Sequence, residues 1–577
     1  MPRSFPRRSF LVAAGGALVV LHPAWANPLR YVPGHPLSDV SKHVWSYWHT
    51  PATLHSLPQT DLLNGPHGGV LLDPMAMPAL LLAPLSALAS PALAANVWIA
   101  AMLIAAGLGV ARLARVLGAT EGGAALAAGM AVFSAPLLAY PVVAGVHERL
   151  GVALIPWLVA ALLERAKHGR GGFVPAILLV PLALHSGVWA WVGVLLMGAA
   201  VALPRTTSWI RFWAPWGLGG LLLVAAFALS QGWSSDPMSL APQPGRHGLF
   251  GPGGAVVRAA SFQSLWWPSP PLFVDEGDLL MRGEHVGLVA TLLAGSGVVL
   301  RRRSAPWIWL SVVLVVLGVW SLGPWLWGHL NSVYAVSVWV VPLLGAWPEP
   351  GQLTMPLVLL LVAAAGAAWS TVPQRSVRGL LVVMLVAERW MALPPLGHRT
   401  DTQTESVWAA LPGEGVIATI PRNLPSRQIT PGRPFLAQIA HEQPITASVF
   451  PGVSRWDDWS VVADGRAADW NTAAECFRRG GIRYLAMHSE WMGEGLEPAI
   501  QQLSSGTAVE VGRSPTWVVF DLRTEAGTGT PLPPFRPKGA APAPSGWLPP
   551  APLPVGVHTV NRRSDVCPVD RLSAPGP

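Results

Sequence analysis

Apolar runs of membrane length recur along the chain and are separated by short polar turns that carry arginines. After an opening run within residues 1–26 they fall at 92–111, 124–143, 150–163, 173–203, 214–229, 286–300, 307–326, 353–372 and 379–393. About 20 apolar residues cross a bilayer as a helix, because hydrocarbon tolerates only backbone whose hydrogen bonds are made internally. The run 173–203 is too long for one crossing, and its break at His185-Ser186-Gly187 predicts a hairpin of two helices. The pattern therefore predicts about 11 transmembrane helices. Residues 75–89 are also apolar, but a crossing there would invert every later loop, so they are expected to form an interfacial or re-entrant helix.

Orientation follows from the cations. Arg112 and Arg115, Arg165 with Lys167 and Arg170, Arg205 and Arg211, the Arg301-Arg302-Arg303 triplet, and Arg375 and Arg378 share one side, which the excess of positive charge marks as cytoplasmic. Residues 27–74, 146–149, 231–285 and 327–352, and everything beyond 394, then lie outside. Residues 1–26 read as a first transmembrane helix or a Tat-like signal, with Arg7-Arg8-Ser9-Phe10-Leu11 and a cleavage-like Ala24-Trp25-Ala26. A retained helix is preferred, because a multi-spanning protein normally keeps its first span. Beyond the last run polarity becomes mixed. Helices at 404–410, 469–479 and 496–503, strands at 415–420 and 482–488, and a hairpin of 509–512 with 516–522 predict a small extracytoplasmic α/β domain over 395–525. Residues 526–577 are rich in Pro, Gly and Ala without periodicity and read as a disordered tail.

Composition agrees with an α-helical polytopic membrane protein: of 577 residues 51% are hydrophobic and 12% charged. The net charge of +8 does not imply a nucleic-acid partner, since the arginines sit at the ends of apolar runs, where membrane lipids are the partner. Only Lys42, Lys167 and Lys538 are lysines. Cys476 and Cys567 have neither metal-ligand nor redox-pair spacing, and both a disulfide and a buried free Cys476 stay open. No phosphate-cradling GxxxxGK[ST], dinucleotide fingerprint, Ser-centred elbow or HExxH occurs, which removes support for cytosolic nucleotide-driven chemistry and for hydrolysis by those routes. Small residues over 122–129 are expected to serve helix packing.

The polar stretch 35–73 is the main interruption in this apolar chain. It carries Asp39 and five histidines, His35, His43, His49, His55 and His67, with Asp61 and Asp73. A divalent metal is conceivable there but unsupported, because no pair has the spacing of a metal site, so surface histidines are expected and no cofactor is assigned. Asp39-Val40-Ser41-Lys42-His43-Val44-Trp45, then Trp48, then Thr60 through Pro66-His67-Gly68, resembles the first loop of GT-C type membrane glycosyltransferases. Gly145-Val146-His147-Glu148, Ser261-Phe262 through Trp267-Pro268-Ser269-Pro270, Glu284-His285-Val286-Gly287, Leu411-Pro412-Gly413 and Gly481-Ile482-Arg483-Tyr484 resemble an uncharacterised bacterial branch of the same superfamily.

The resemblance implies transfer of a sugar from a polyprenyl-phosphate donor, at the outer face of a bacterial plasma membrane, to a hydroxyl of a lipid, glycan or protein. A lipid phosphate leaves as a stable anion, so the acceptor hydroxyl's base is the main protein group required. Asp39 matches the family's first-loop acid, although Ser38 precedes it where a small residue is usual and no second acid adjoins it, which puts metal dependence in doubt. An Asx turn or helix N-cap is the competing role for Asp39. His147, Glu148 and Arg149 are the next candidates. The run 150–163 is roughly 21 Å as a helix, short of a roughly 30 Å hydrocarbon layer, which would draw the triplet toward membrane depth and its arginine toward the donor phosphate. Helix capping by a snorkelling triplet competes. Lys42, His43 and Arg282 are further substrate-binding candidates, as are Trp266 and Trp267, for which interface anchoring is the simpler account. Glu388-Arg389 is expected to form a local pair. Two other classes compete: a lipid-linked glycan transporter or flippase, and a non-catalytic envelope assembly protein.

Overall fold

The computed structural model describes residues 7–52, 76–203, 284–322, 350–420, 433–445 and 469–522, excepting 37, 169–173, 186, 201–202, 410, 444, 480 and 507, together with the pieces 59–60, 69–70, 265–266, 325–326 and 329–330. Two compact units divide the chain. The first comprises residues 1–47, 74–230 and 241–401, and the second residues 48–73, 231–240 and 402–577.

The first unit is helical: α1 (Arg7–Val20), α2 (Val40–Ala52, whose last residues belong to the second unit), α3 (Pro91–Val116), α4 (Glu121–Val132), α5 (Ile155–His168), α6 (Val174–His185), α7 (Gly187–Ala199), α8 (Leu288–Leu300), α9 (Ala305–Ser321), α10 (Thr354–Trp369) and α11 (Arg375–Ala392). Among the described residues two helices, α3 and α10 with the turn preceding it, are long and apolar enough to cross a membrane alone. The run 173–203 does form a helix pair, α6 and α7, packed together. The run 75–89 forms two six-residue helices, Ala76–Leu81 and Ala83–Leu88. The run 214–229 lies outside the described residues.

Helix α10 is the hub. It is buried along its length, with α4, α3 and α8 around it. Lipid offers apolar side chains no hydrophobic incentive to leave it, so such helices associate through close backbone contact. Gly123 of α4 and Gly366 of α10 supply that contact: a Cβ on either would lie 2.4–2.5 Å from the other's carbonyl oxygen. Ser370 at the end of α10 also bonds the Thr120 amide at 3.0 Å. Helix α1 packs on α3 and α4, and a Cβ on Gly107 would meet the Ala13 Cβ at 2.7 Å. Apolar side chains on α8, α9 and α11 face outward, Leu292, Val315 and Val383 among them, as a lipid-facing surface requires.

The run 124–143 is not one straight helix. It breaks after Val132, where Ser134 and Pro136 restart it as Ala135–Leu138, bent by 46°, and it ends in a π-helical turn, Ala139–Val143. Proline removes the amide that would continue the ladder. The run 150–163 is likewise corrected: a 3-10 helix, His147–Leu154, precedes α5. At about 2 Å per residue the 3-10 residues 150–154 add roughly 10 Å to the roughly 21 Å of α5, so the chain from Leu150 to His168 is long enough to span, and shortness does not draw the triplet inward.

A short antiparallel pair, β1 (Tyr31–Pro33) with β2 (Arg399–Asp401), ties the start of the first loop to the chain after α11. Arg30 grips Asp401 with both forks at 2.7 and 2.5 Å, and Arg399 lies 4.0 Å above the Tyr31 ring.

In the second unit β3 (Val416–Ile420), β4 (Ile482–His488), β5 (Val509–Arg513) and β6 (Trp517–Asp521) form one sheet in the order β3-β4-β6-β5, with β3 and β4 parallel and the rest antiparallel. The parallel pair needs a crossover, which contains α12 (Arg433–His441) and α13 (Trp470–Arg479); α14 (Leu496–Ser505) follows β4. One sheet face buries Leu485 and Phe520 among Ala473, Phe477 and Leu503 of α13 and α14. Trp408 and Trp517 make an edge contact at 5.2 Å, as do His488 and Trp517 at 4.8 Å. Cys476 is buried and disulfide-bonded rather than free, and Cys567 lies outside the described residues.

Candidate functional site

Two glycines bring the first loop against the turn at 144–149. Gly34 (φ +130) and Gly145 (φ +71) take backbone conformations that other residues rarely adopt, and a Cβ on either would lie 2.4 Å from the Val40 side chain. With nothing there, Val40 begins α2 directly against the 145 backbone. The Asp39 amide donates to the Ala144 carbonyl at 3.2 Å, and the His35 amide to the Val143 carbonyl at 2.9 Å. The π-helical turn preceding Ala144 aims these carbonyls at the loop; such turns replace one regular bond of the helix and are frequent at functional sites.

Asp39 is at the N-cap position of α2, and its carbonyl accepts from the Lys42 and His43 amides. Its carboxylate does not cap the helix. It pairs with Lys42 Nζ at 2.6 Å, with Lys42 nearly buried and one third of the Asp39 side chain open to solvent. One turn on, His43 Nε2 meets Glu148 Oε2 at 2.9 Å, and Arg149 Nε lies 3.8 Å from Glu148 Oε1. The His43 and His147 rings are 5.2 Å apart. Trp189 of α7 donates to the Arg149 carbonyl at 3.0 Å and so fixes the turn from the other side. Burial alone would raise the Glu148 pKa, but His43 and then Arg149 outweigh it and hold the carboxyl down to about 2.

Asp39, Lys42, His43, His147, Glu148 and Arg149, distant in sequence, thus share one cluster. It offers a partly open carboxylate paired with Lys42 and a second carboxylate held ionised by His43 and Arg149. His43 and His49 are buried rather than at the surface as expected, and burial lowers the His49 pKa to about 3, so that ring is neutral. His35 is half-buried, with its ring 4.9 Å from that of His398. His55, His67, Asp61 and Asp73 lie outside the described residues, as do Trp267 and Arg282. Among the described residues no group of three or more His, Cys, Asp or Glu side chains could hold a metal ion.

Where they are described, the other resemblance motifs are joints, and 60–68 and 261–270 lie largely outside the described residues. Trp266 is half-buried, and the carbonyl of the adjoining Leu265 accepts from the Val286 and Gly287 amides. Glu388 and Arg389 do not simply pair with each other: Glu388 accepts the Val289 amide at 2.9 Å, capping α8, while Arg389 donates to the Val286 carbonyl at 2.8 Å. In the second unit Arg483 donates to the Glu414 carbonyl and Asp521, and the Tyr484 hydroxyl to the Gly413 carbonyl at 2.8 Å. Sequence reasoning missed Gly34, Trp189 and the Val40 contact. The positive-φ glycine beside the His147 triplet was the available signal.

No protein-family model matches the chain, and no curated protein matches it. Solved structures do. A mycobacterial arabinofuranosyltransferase, AftD, superposes with a TM-score of 0.58 at 17% identity, over 90% of this chain and 42% of its own, so this chain spans about two fifths of that protein. The oligosaccharyltransferase of Archaeoglobus fulgidus, in complex with zinc and sulfate, gives 0.49 at 12% identity, over 86% of this chain and 70% of that one. ArnT from Cupriavidus metallidurans, bound to undecaprenyl phosphate, gives 0.45 at 12% identity, over 90% and 98%. The fold of this chain is GT-C-like.

Proposed function

We propose that this protein is a membrane glycosyltransferase that moves a sugar from a polyprenyl-phosphate donor to an acceptor hydroxyl at the outer membrane face, with Asp39 as base. The carrying observation is the cluster itself: the first-loop acid, partly open, against the turn that bears His147, Glu148 and Arg149. Asp39 accepts the acceptor's hydroxyl proton, the hydroxyl oxygen bonds to the anomeric carbon, and the bond from that carbon to the phosphate oxygen breaks with its electron pair leaving on phosphate. Lys42 and Arg149 are the cations in reach of that developing charge, and Glu148 with His43 holds Arg149 in place. The GT-C-like fold supports this reading. So does the topology read from the arginines, with 11 spans, residues 27–74 and 146–149 outside, and the 395–525 domain extracytoplasmic.

The test is incubation of the purified full chain with labelled polyprenyl-phosphate sugars and lipid, glycan and peptide acceptors. Transfer that depends on Asp39 is expected. Transfer by Asp39→Asn at the wild-type rate removes the catalytic role. Lipid movement across vesicles without transfer to any acceptor identifies a transporter instead.

A further inference from the structure

The turn joining α8 to α9 has no part in the proposed reaction, yet it gathers three arginines. Arg301 is engaged within the fold: its Nη1 donates to the Leu117 carbonyl, and its guanidinium lies 5.6 Å from the Trp307 ring centroid. Arg302 and Arg303 are exposed, and among the described residues neither meets a carboxylate. With Leu300, Arg301 and Ser304 they line an open cavity of about 450 Å³. Ser304 is the N-cap of the 17-residue α9, but its side chain makes no capping bond, so the positive end of that helix also meets this cavity uncapped.

On either side the helices present apolar surface. Leu292 and Val299 of α8 are 66% and 67% exposed, and Val312 and Val315 of α9 are 58% and 63% exposed. The outward positions recur every three to four residues, so each helix carries a continuous apolar face that ends at the arginine turn. An apolar wall topped by unpaired guanidinium groups complements an amphiphile whose head is anionic. Nucleic acid or an acidic peptide would satisfy the arginines and leave the wall uncovered. Phosphatidylcholine would cover the wall but bring its own cation to the arginines.

We propose that residues 300–304 form a binding site for an anionic phospholipid, its phosphodiester held by Arg302, Arg303 and the start of α9 and its acyl chains lying along α8 and α9. Guanidinium suits phosphate through its planar fork. The assignment is independent of the reading of the Asp39 cluster.

Native mass spectrometry of the full chain, titrated with phosphatidylglycerol or phosphatidylcholine of equal chain length, tests it. Two arginines at a membrane surface correspond to a preference of roughly 30-fold for the anionic lipid. Arg302→Gln/Arg303→Gln should bring the two lipids to near-equal retention, while Arg302→Lys/Arg303→Lys should keep most of the preference; both pairs are exposed, and an unchanged melting temperature confirms folding. Equal retention of the two lipids by the wild type overturns the proposal, as does a preference that survives the glutamine pair. Excess inorganic phosphate separates the sources of the anion: retained phosphatidylglycerol supports a lipid site, whereas complete displacement marks a simple anion site and overturns the lipid assignment.

Discussion

Gly145→Ala is the sharpest perturbation of the geometry on which the site depends. The new Cβ would lie 2.4 Å from the Val40 amide nitrogen, where ordinary contact begins near 3.4 Å, so the start of α2 must retreat by about 1 Å or the 145 turn must open. Val40 cannot yield by a rotamer change, because two of the clashing atoms, its amide nitrogen and Cα, are backbone. Alanine at φ +71 costs a further 1–2 kcal/mol or so. Either movement lengthens the 3.2 Å bond from the Asp39 amide to the Ala144 carbonyl and shifts Asp39 relative to the turn that bears Arg149. A misplacement of about 1 Å can lower turnover by roughly 100-fold. Transfer from the lipid-linked donor should fall by about that factor, with the protein still folded. Hydrogen exchange gives a readout independent of activity: the Asp39 amide should lose protection while α3 and α10 keep theirs. Gly198→Ala is the control, since nothing lies within 4 Å of its Cβ position, and it should be nearly neutral. Wild-type transfer and an equally protected Asp39 amide in Gly145→Ala would refute the claim that this close approach sets the site.

The remaining predictions concern the charges. Asp39→Asn should reduce transfer by roughly 10²–10⁴-fold, the usual contribution of a positioned base, without lowering donor affinity; a change confined to donor KM argues against a base. Arg149→Gln should raise the donor KM by roughly 10- to 100-fold, the worth of a charge-assisted bond, with partial recovery in Arg149→Lys; unchanged donor KM in Arg149→Gln removes the arginine from phosphate binding. Glu148 titrates near 2 in the folded chain, below its ordinary value, so its stabilisation is fully present above about pH 4.5 and is lost as pH falls toward 2, with a size of about 3 kcal/mol. The melting-temperature gap between wild type and Glu148→Gln should therefore narrow from pH 7 to pH 3, and a constant gap sinks the ionised-carboxylate account.

What the chain made legible was governed by local pattern. Apolar runs without charges and mixed-polarity segments with turn residues each carry their own signature, so α3, α10, β4 and the β5-β6 hairpin lie where hydropathy places them. The break at Val132 was written in Pro136, but a continuous apolar run hid it, and with it the bend that precedes the 145 turn. Helix α12 was missed because Arg433–His441 is flanked by stretches without clear periodicity. Surface placement failed for His43 and His49 because histidine tolerates burial as a neutral ring or beside a carboxylate, and the carboxylate that His43 meets, Glu148, is far off in sequence.

The site illustrates a more general division. Residue types with chemistry, Asp39 and the His147 triplet, were visible in sequence because ionisable groups are rare in an apolar chain. Their assembly was not, because it rests on contacts between residues more than 100 positions apart: Asp39 with Ala144, and His43 with Glu148. Those contacts depend on glycines, whose contribution is an absent side chain. Gly34 and Gly145, at positive φ against Val40, differ from the helical packing pair Gly123 and Gly366, which meet each other's carbonyls: one pair positions a carboxylate and the other joins helices. Substitution separates them. Replacing Gly123 should destabilise the whole bundle, whereas replacing Gly145 should displace Asp39 and leave α10 protected.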